Sequence, residues 1–215
     1  MMNITAINAS PRKSRNTSQL VRAAADGASA AGAETEIFDL YSLERYTGCI
    51  SCFACKTKKY FGECICNDAL KPVLEKIRCS DGLVIGTPNY LGEASASFRA
   101  LYERLIFQYI TYDLEKPNAN TRRIPVLFIM TSNAGDSAYE QGGFYHGLVS
   151  NYQSTLDRFI GPTKVLIAAD TVQVDDYSRF NRTMFDGDAK KRRHDALFAD
   201  LLEEARAIGS EMAGK

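Results

Sequence analysis

Two stretches constrain this chain more than anything else in it: 82–86 (GLVIG) and 124–130 (IPVLFIM). Each is a continuous apolar run with no polar alternation, so neither has a face to offer to water. Runs of this length and kind belong to strands buried on both sides, as in a parallel sheet covered by helices. Three further segments read as strands: 3–8, 34–40 and 164–169. Between and after them lie segments with helical spacing. Residues 17–31 place Leu20, Val21, Ala24 and Ala28 on one face, and 68–78 place Leu70, Val73, Leu74 and Ile77 on one face. Residues 95–110, 145–160 and 188–212 complete the set of helices. Five strands alternating with five helices imply right-handed parallel crossovers and helices on both faces of one sheet. The whole of 1–215 is expected to be one domain, with a cysteine-rich insertion around 45–67 and a closing helix.

Lys plus Arg (26) equals Asp plus Glu (26), so no global charge draws the chain to nucleic acid or anionic lipid. No segment approaches the ~20 apolar residues that cross a bilayer, and residues 1–9 lack the pattern of a signal peptide. A cytoplasmic location is the expectation, with neither nucleic acid nor membrane as partner.

In open α/β sheets, ligands bind beyond the carboxyl ends of the strands where strand order reverses. Rossmann-type and flavodoxin-type order both satisfy the pattern so far. After the first strand comes Ala9-Ser10-Pro11-Arg12-Lys13-Ser14-Arg15-Asn16-Thr17-Ser18. It contains neither GxGxxG nor GxxxxGK[ST], which argues against dinucleotide and P-loop sites. It does carry four hydroxyls (Ser10, Ser14, Thr17, Ser18) with Arg12, Lys13 and Asn16, and it opens a helix. Helix-terminal N–H groups, hydroxyls and cationic side chains together suit a phosphate dianion. After the third strand come Pro88, Asn89, Tyr90, Leu91 and Gly92. There Pro88 stiffens the exit, and Gly92 lets backbone approach a flat ligand.

These motifs resemble the NAD(P)H-dependent FMN reductases and the related iron–sulfur flavoproteins. Members carry G-S-P-R-K, a spacer and N-T after the first strand, then P-x-Y-x-G after the third. Ala9 and Arg15 stand here where glycine is common, and Arg15 is expected to point to solvent. Arg99, Glu103 and Arg104 occupy the place of a Lys-x-x-x-Asp-Arg element. The resemblance implies a flavodoxin-like fold with strand order 2-1-3-4-5. It implies FMN held with its phosphate at residues 10–18 and its ring between 88–92 and a third loop, Thr131, Ser132, Asn133 and Gly135. NAD(P)H would then donate hydride and a flavin, quinone or other acceptor would receive the electrons, with no catalytic side chain required. A homodimer or homotetramer is implied as well. His146 is expected to be a surface or capping residue, His194 a solvated helix face, and Phe144 at least as much a packing residue as a ligand contact.

Five of the six cysteines fall between 49 and 66. In a reducing compartment such a cluster points to metal or redox chemistry before disulfides. Cys49-x-x-Cys52-x-x-Cys55 with a distant Cys64 has the pattern of a [4Fe–4S] site, whereas zinc more often takes two separated C-x-x-C pairs. The iron–sulfur flavoproteins carry four cysteines in this region, with a shorter gap before the fourth. The residues leave three readings open: an FMN enzyme with free thiols, an electron carrier that also holds a cluster and meets a ferredoxin-like partner, and a colourless zinc-stabilised module. Cys66 is expected to stay outside the ligand set, and Cys79 to lie in the core.

Overall fold

A computed structural model describes residues 1–181 and 183–214. The elements run β1 (Asn3–Asn8), α1 (Asn16–Ala30), β2 (Glu34–Asp39), α2 (Lys71–Cys79), β3 (Gly82–Tyr90), β4 (Glu93–Ala94), α3 (Ala96–Tyr109), β5 (Val126–Thr131), α4 (His146–Phe159), β6 (Thr163–Ala168) and α5 (Gly187–Ala213). The sheet order is β2-β1-β3-β5-β6, all parallel, with the two-residue β4 folded back antiparallel on β3. The five long strands therefore take the expected flavodoxin-like order, and the added hairpin strand shifts only their numbering.

The alternation of side chains along a strand explains why the central runs are apolar throughout. Ile7, Leu83, Ile85, Phe128 and Met130 point into a core shared with α2, α3 and α4. Ile4, Ala6, Val84, Leu127 and Ile129 point the other way, into a core shared with α1 and α5. Successive residues serve opposite faces, and both faces are dry.

Helices α1 and α5 pack unusually close. A Cβ on Gly27 would lie 2.0 Å from the Arg206 carbonyl oxygen, and one on Gly209 1.9 Å from that of Ala24. Small residues (Ala24, Ala28, Ala205) fill the rest of this contact and are buried.

Three expectations need correction. The third strand runs on from Gly86 to Tyr90, because Pro88 still pairs in register with Thr131. The helix expected from 68 starts at Lys71, since the Asp68 carboxylate is engaged by the backbone N–H groups of Leu70 (3.0 Å) and Thr47 (3.2 Å). Cys79 is exposed, because it falls outside the stripe of Val73, Leu74 and Ile77 that α2 buries.

Candidate functional site

The chain leaves β1 toward β2 on one side and returns as β3 on the other, so the sheet reverses between β1 and β3. At that crevice one cavity is lined by Ser10, Arg12, Arg15, Asn16 and Thr17, by Pro88, Asn89 and Tyr90, and by Thr131, Ser132 and Asn133. Three loops distant in sequence thus meet at one place. Thr171, Val172 and Gln173, just beyond β6, form the remaining wall. Sequence reasoning did not place these three among the flavin contacts, reading 171–188 only as an oligomer contact or a lid. The signal was present, since the carboxyl end of a parallel strand is where ligand contacts gather and 171–173 lie at the carboxyl end of β6.

The loop after β1 is held from behind. The Asn8 side-chain oxygen accepts the Ser10 N–H (3.1 Å), and its amide donates to Asp39 Oδ1 (2.8 Å). The Ser10 hydroxyl accepts the Arg12 N–H at 3.1 Å. Neither departure from the glycine pattern strains the backbone: Ala9 has no positive φ, and Arg15 sits at −104°. Arg15 occupies the N-cap of α1 and no side chain caps that helix. Its first-turn N–H groups are left for another acceptor, and the positive end of the helix dipole faces the cavity.

Arg15 lies at the surface, as expected, but its guanidinium is engaged there. Its guanidinium pairs with both Asp175 oxygens at 2.6 Å, which raises its pKa through that hydrogen bond. Asn16 Nδ2 donates to the Val172 carbonyl (2.9 Å), and Arg12 donates to that of Gln173. The segment after β6 therefore clasps the loop after β1. Lys13, Ser14 and Ser18 do not line the cavity. The Ser18 hydroxyl instead donates to the Lys13 carbonyl at 2.5 Å, and the Ser14 carbonyl accepts from Gln19.

Leu91 and Gly92 form the tip of the β3–β4 hairpin, both at positive φ (56° and 80°). Two left-handed residues in a row make the tight turn that suits a twisted hairpin. The Asn89 side chain locks it, accepting the Gly92 N–H (3.0 Å) and donating to the Tyr139 hydroxyl (2.8 Å). Tyr90 is half-exposed on the cavity wall, whereas Leu91 points fully into solvent. On the opposite wall Thr131 shares a 2.7 Å hydrogen bond with Thr17. Asn133 Oδ1 is buried without a partner, and the neighbouring carbonyl accepts from the buried Lys190 (3.1 Å). Gly135 lies off the cavity. Phe144 is almost fully exposed, so it packs nothing in the core. His146 lies at the first turn of α4 with its Nδ1 3.3 Å from the Tyr139 carbonyl. His194 is half-buried and stacked on Phe198, and burial lowers its pKa.

The cysteine loop packs on α3. Cys49, Cys52, Cys55, Cys64 and Cys66 all line one cavity with Arg104, Phe107 and Gln108. All are free thiols. Among the described residues no three His, Cys, Asp or Glu side chains close on a common point as the ligands of a single metal ion do. The thiolates of a four-iron cluster do not meet at one point, because each binds a different iron of the iron–sulfide cube. Arg104 is fully buried: Nη1 donates to Asp68 Oδ1 (2.6 Å), Nη2 to the Cys66 carbonyl (2.9 Å) and Nε to Cys64 Sγ (3.3 Å). Burial pushes the Asp68 carboxyl up most strongly, but the Arg104 hydrogen bond and charge together with the Thr47 and Leu70 N–H groups outweigh it, and the net shift is downward. Burial pushes the thiols of Cys55 and Cys66 up. Cys66 lies 3.8 Å from Asp68 Oδ2.

A polar line joins the two regions. Tyr152 donates to Glu93 at the hairpin and accepts from Arg99 (3.2 Å). Arg99 pairs with Glu103 (3.7 Å), and Glu103 accepts the Cys49 N–H (3.2 Å).

A family model described as NADPH-dependent FMN reductase matches residues 2–141. The iron–sulfur flavoprotein of Methanosarcina thermophila is 33% identical over 105 residues, covering 49% of this chain and 53% of that protein. The iron–sulfur flavoprotein of Archaeoglobus fulgidus is 36% identical over 105 residues, 48% of each. The match thus spans about half the length of these curated relatives. Among solved structures, an azoreductase from Bacillus anthracis superposes with a TM-score of 0.69 at 14% identity, over 98% of this chain and 100% of that one. An NAD(P)H:quinone oxidoreductase from Methanothermobacter marburgensis superposes at 0.68 and 15%, over 98% of both. At such identities the likeness establishes the fold alone.

Proposed function

The chain belongs to the NADPH-dependent FMN reductase family, and from that premise we propose that it is an oxidoreductase holding FMN in the crevice between β1 and β3. One observation carries the reading: an uncapped helix start, flanked by Arg12 and Arg15 and by the Ser10 and Thr17 hydroxyls, lies at the point where strand order reverses. That donor set fits a phosphate monoester. The first-turn N–H groups of α1 bind it, and the two arginines, now engaged by the 172–175 segment, supply charge.

The ring then lies between Pro88–Asn89–Tyr90 and Thr131–Ser132–Asn133. Asn133 Oδ1, buried and unpartnered, is an acceptor for a ring N–H. Tyr90 limits water on one side. The chemistry supplied by the bound flavin is acceptance of hydride from NAD(P)H and delivery of the electrons to a flavin, quinone or similar acceptor. Leu91 and Phe144, both exposed at adjoining turns, are the surface on which a second copy would close the site, giving a homodimer or homotetramer. Two resolved flavin absorption bands, bleached by NAD(P)H without air and restored by a quinone, are the expected result. Protein that refuses FMN overturns the reading.

A second reading has its own support. Cys49, Cys52, Cys55 and Cys64 share a cavity in which Arg104 donates to Cys64 sulfur and Gln108 Nε2 is buried with no partner. Four thiolates with sulfur-directed donors fit a [4Fe–4S] cluster, which would pass single electrons between FMN and a ferredoxin-like partner. Iron and sulfide analysis of anaerobically purified protein, with Cys52→Ala as control, tests it: iron in the wild type and its loss in the variant are expected.

A further inference from the structure

Two side chains of α3 converge on Cys64, and the flavin chemistry uses neither. Arg104 is buried, and three of its donor contacts fasten backbone and Asp68; the remaining one, Nε, meets Cys64 Sγ at 3.3 Å. Gln108 lies one helical turn further along the same face and is 3% exposed. Its Oε1 accepts the Cys64 N–H (3.1 Å), which fixes the amide orientation and leaves Nε2 as a buried donor without an acceptor. Natural cores seldom retain such an orphan unless a missing partner supplies the acceptor. The neighbouring cation, Lys56, donates to the Phe107 and Ile110 (2.6 Å) carbonyls and meets the Cys55 thiol, not Cys64.

We propose that Arg104 and Gln108 are positioning residues for a cluster at this cavity, donating hydrogen bonds to its sulfur at the Cys64 corner and raising its reduction potential. This rests on the cluster reading above. Taking one electron from an external donor adds negative charge to the site. Donors aimed at sulfur stabilise that added charge, so removing one makes reduction harder. Asp68 compensates the Arg104 charge, which leaves the directed N–H groups as the principal lever.

The test uses full-length protein reconstituted anaerobically with iron and sulfide, in wild-type, Gln108→Leu, Gln108→Glu and Arg104→Lys forms. Iron per chain and the midpoint potential are measured, the latter by dithionite titration followed by electron paramagnetic resonance. Gln108→Leu is expected to retain wild-type iron and shift to lower potential, and Gln108→Glu to shift further. Arg104→Lys keeps the charge but loses the Nε donor, and is expected to shift in the same direction. Full iron with an unchanged potential in Gln108→Leu overturns the donor assignment alone. A wild type that takes up no iron overturns the cluster reading, and this inference with it.

Discussion

At the scale of single residues, the site separates charges that look equivalent in the sequence. Arg12, Lys13 and Arg15 crowd one loop, yet only the two arginines line the cavity. Arg12→Glu and Arg15→Glu are therefore expected to weaken FMN binding roughly tenfold or more, the scale of a charge-assisted hydrogen bond, while Lys13→Glu leaves it near wild type. Fluorescence titration decides. The motif made this loop legible, but the Arg15 ion pair was not, because its partner, Asp175, lies 160 residues away. No local pattern announces a contact of that range. Asp68 shows the same limit, being the first residue of a helical stretch by sequence and the counter-ion of buried Arg104 in space. Its folded carboxyl pKa lies below the unfolded value, so its stabilisation is fully present above about pH 4 and is lost as pH falls through the depressed value. Urea unfolding across that range should show an acid loss in the wild type that Asp68→Asn lacks. At neutral pH, Asp68→Asn should itself be destabilised by a few kcal/mol, roughly the 3–5 kcal/mol of a broken buried pair.

At the scale of elements, the strands were the most legible part. An apolar run between turn signals needs no distant partner to be recognised, and the alternation of 82–86 and 124–130 between two cores confirms why nothing polar interrupts them. The hairpin at Leu91–Gly92 was not legible as strand, since Pro88 reads as an exit and β4 is only two residues long. The close crossing of α1 and α5 was also invisible, because Gly27 and Gly209 look like weak spots in helices until their neighbours are known. Gly209→Val should push the two helices apart and lower stability by at least about 1–3 kcal/mol, the usual penalty of overpacking. The same stability as wild type in urea unfolding would show that α5 yields freely. Because α1 carries the phosphate loop at its start, FMN affinity should fall in parallel.

At the scale of the whole molecule, three loops and the segment after β6 converge on one crevice only because the sheet reverses between β1 and β3. No helix among the described residues is long and apolar enough to cross a membrane. Leu91 and Phe144 are both exposed, and on the proposed assembly Leu91→Asp with Phe144→Asp is expected to turn the oligomer into a monomer by light scattering and to expose the flavin to solvent. The most direct measurement compares FMN with riboflavin, which lacks the phosphate, by calorimetric titration of the wild type and of Ser10→Asp. FMN should bind the wild type far more tightly than riboflavin, and Ser10→Asp should erase that difference with the fold intact. Equal affinity of the wild type for the two flavins, or an FMN affinity unchanged in Ser10→Asp, would contradict a phosphate held at the start of α1.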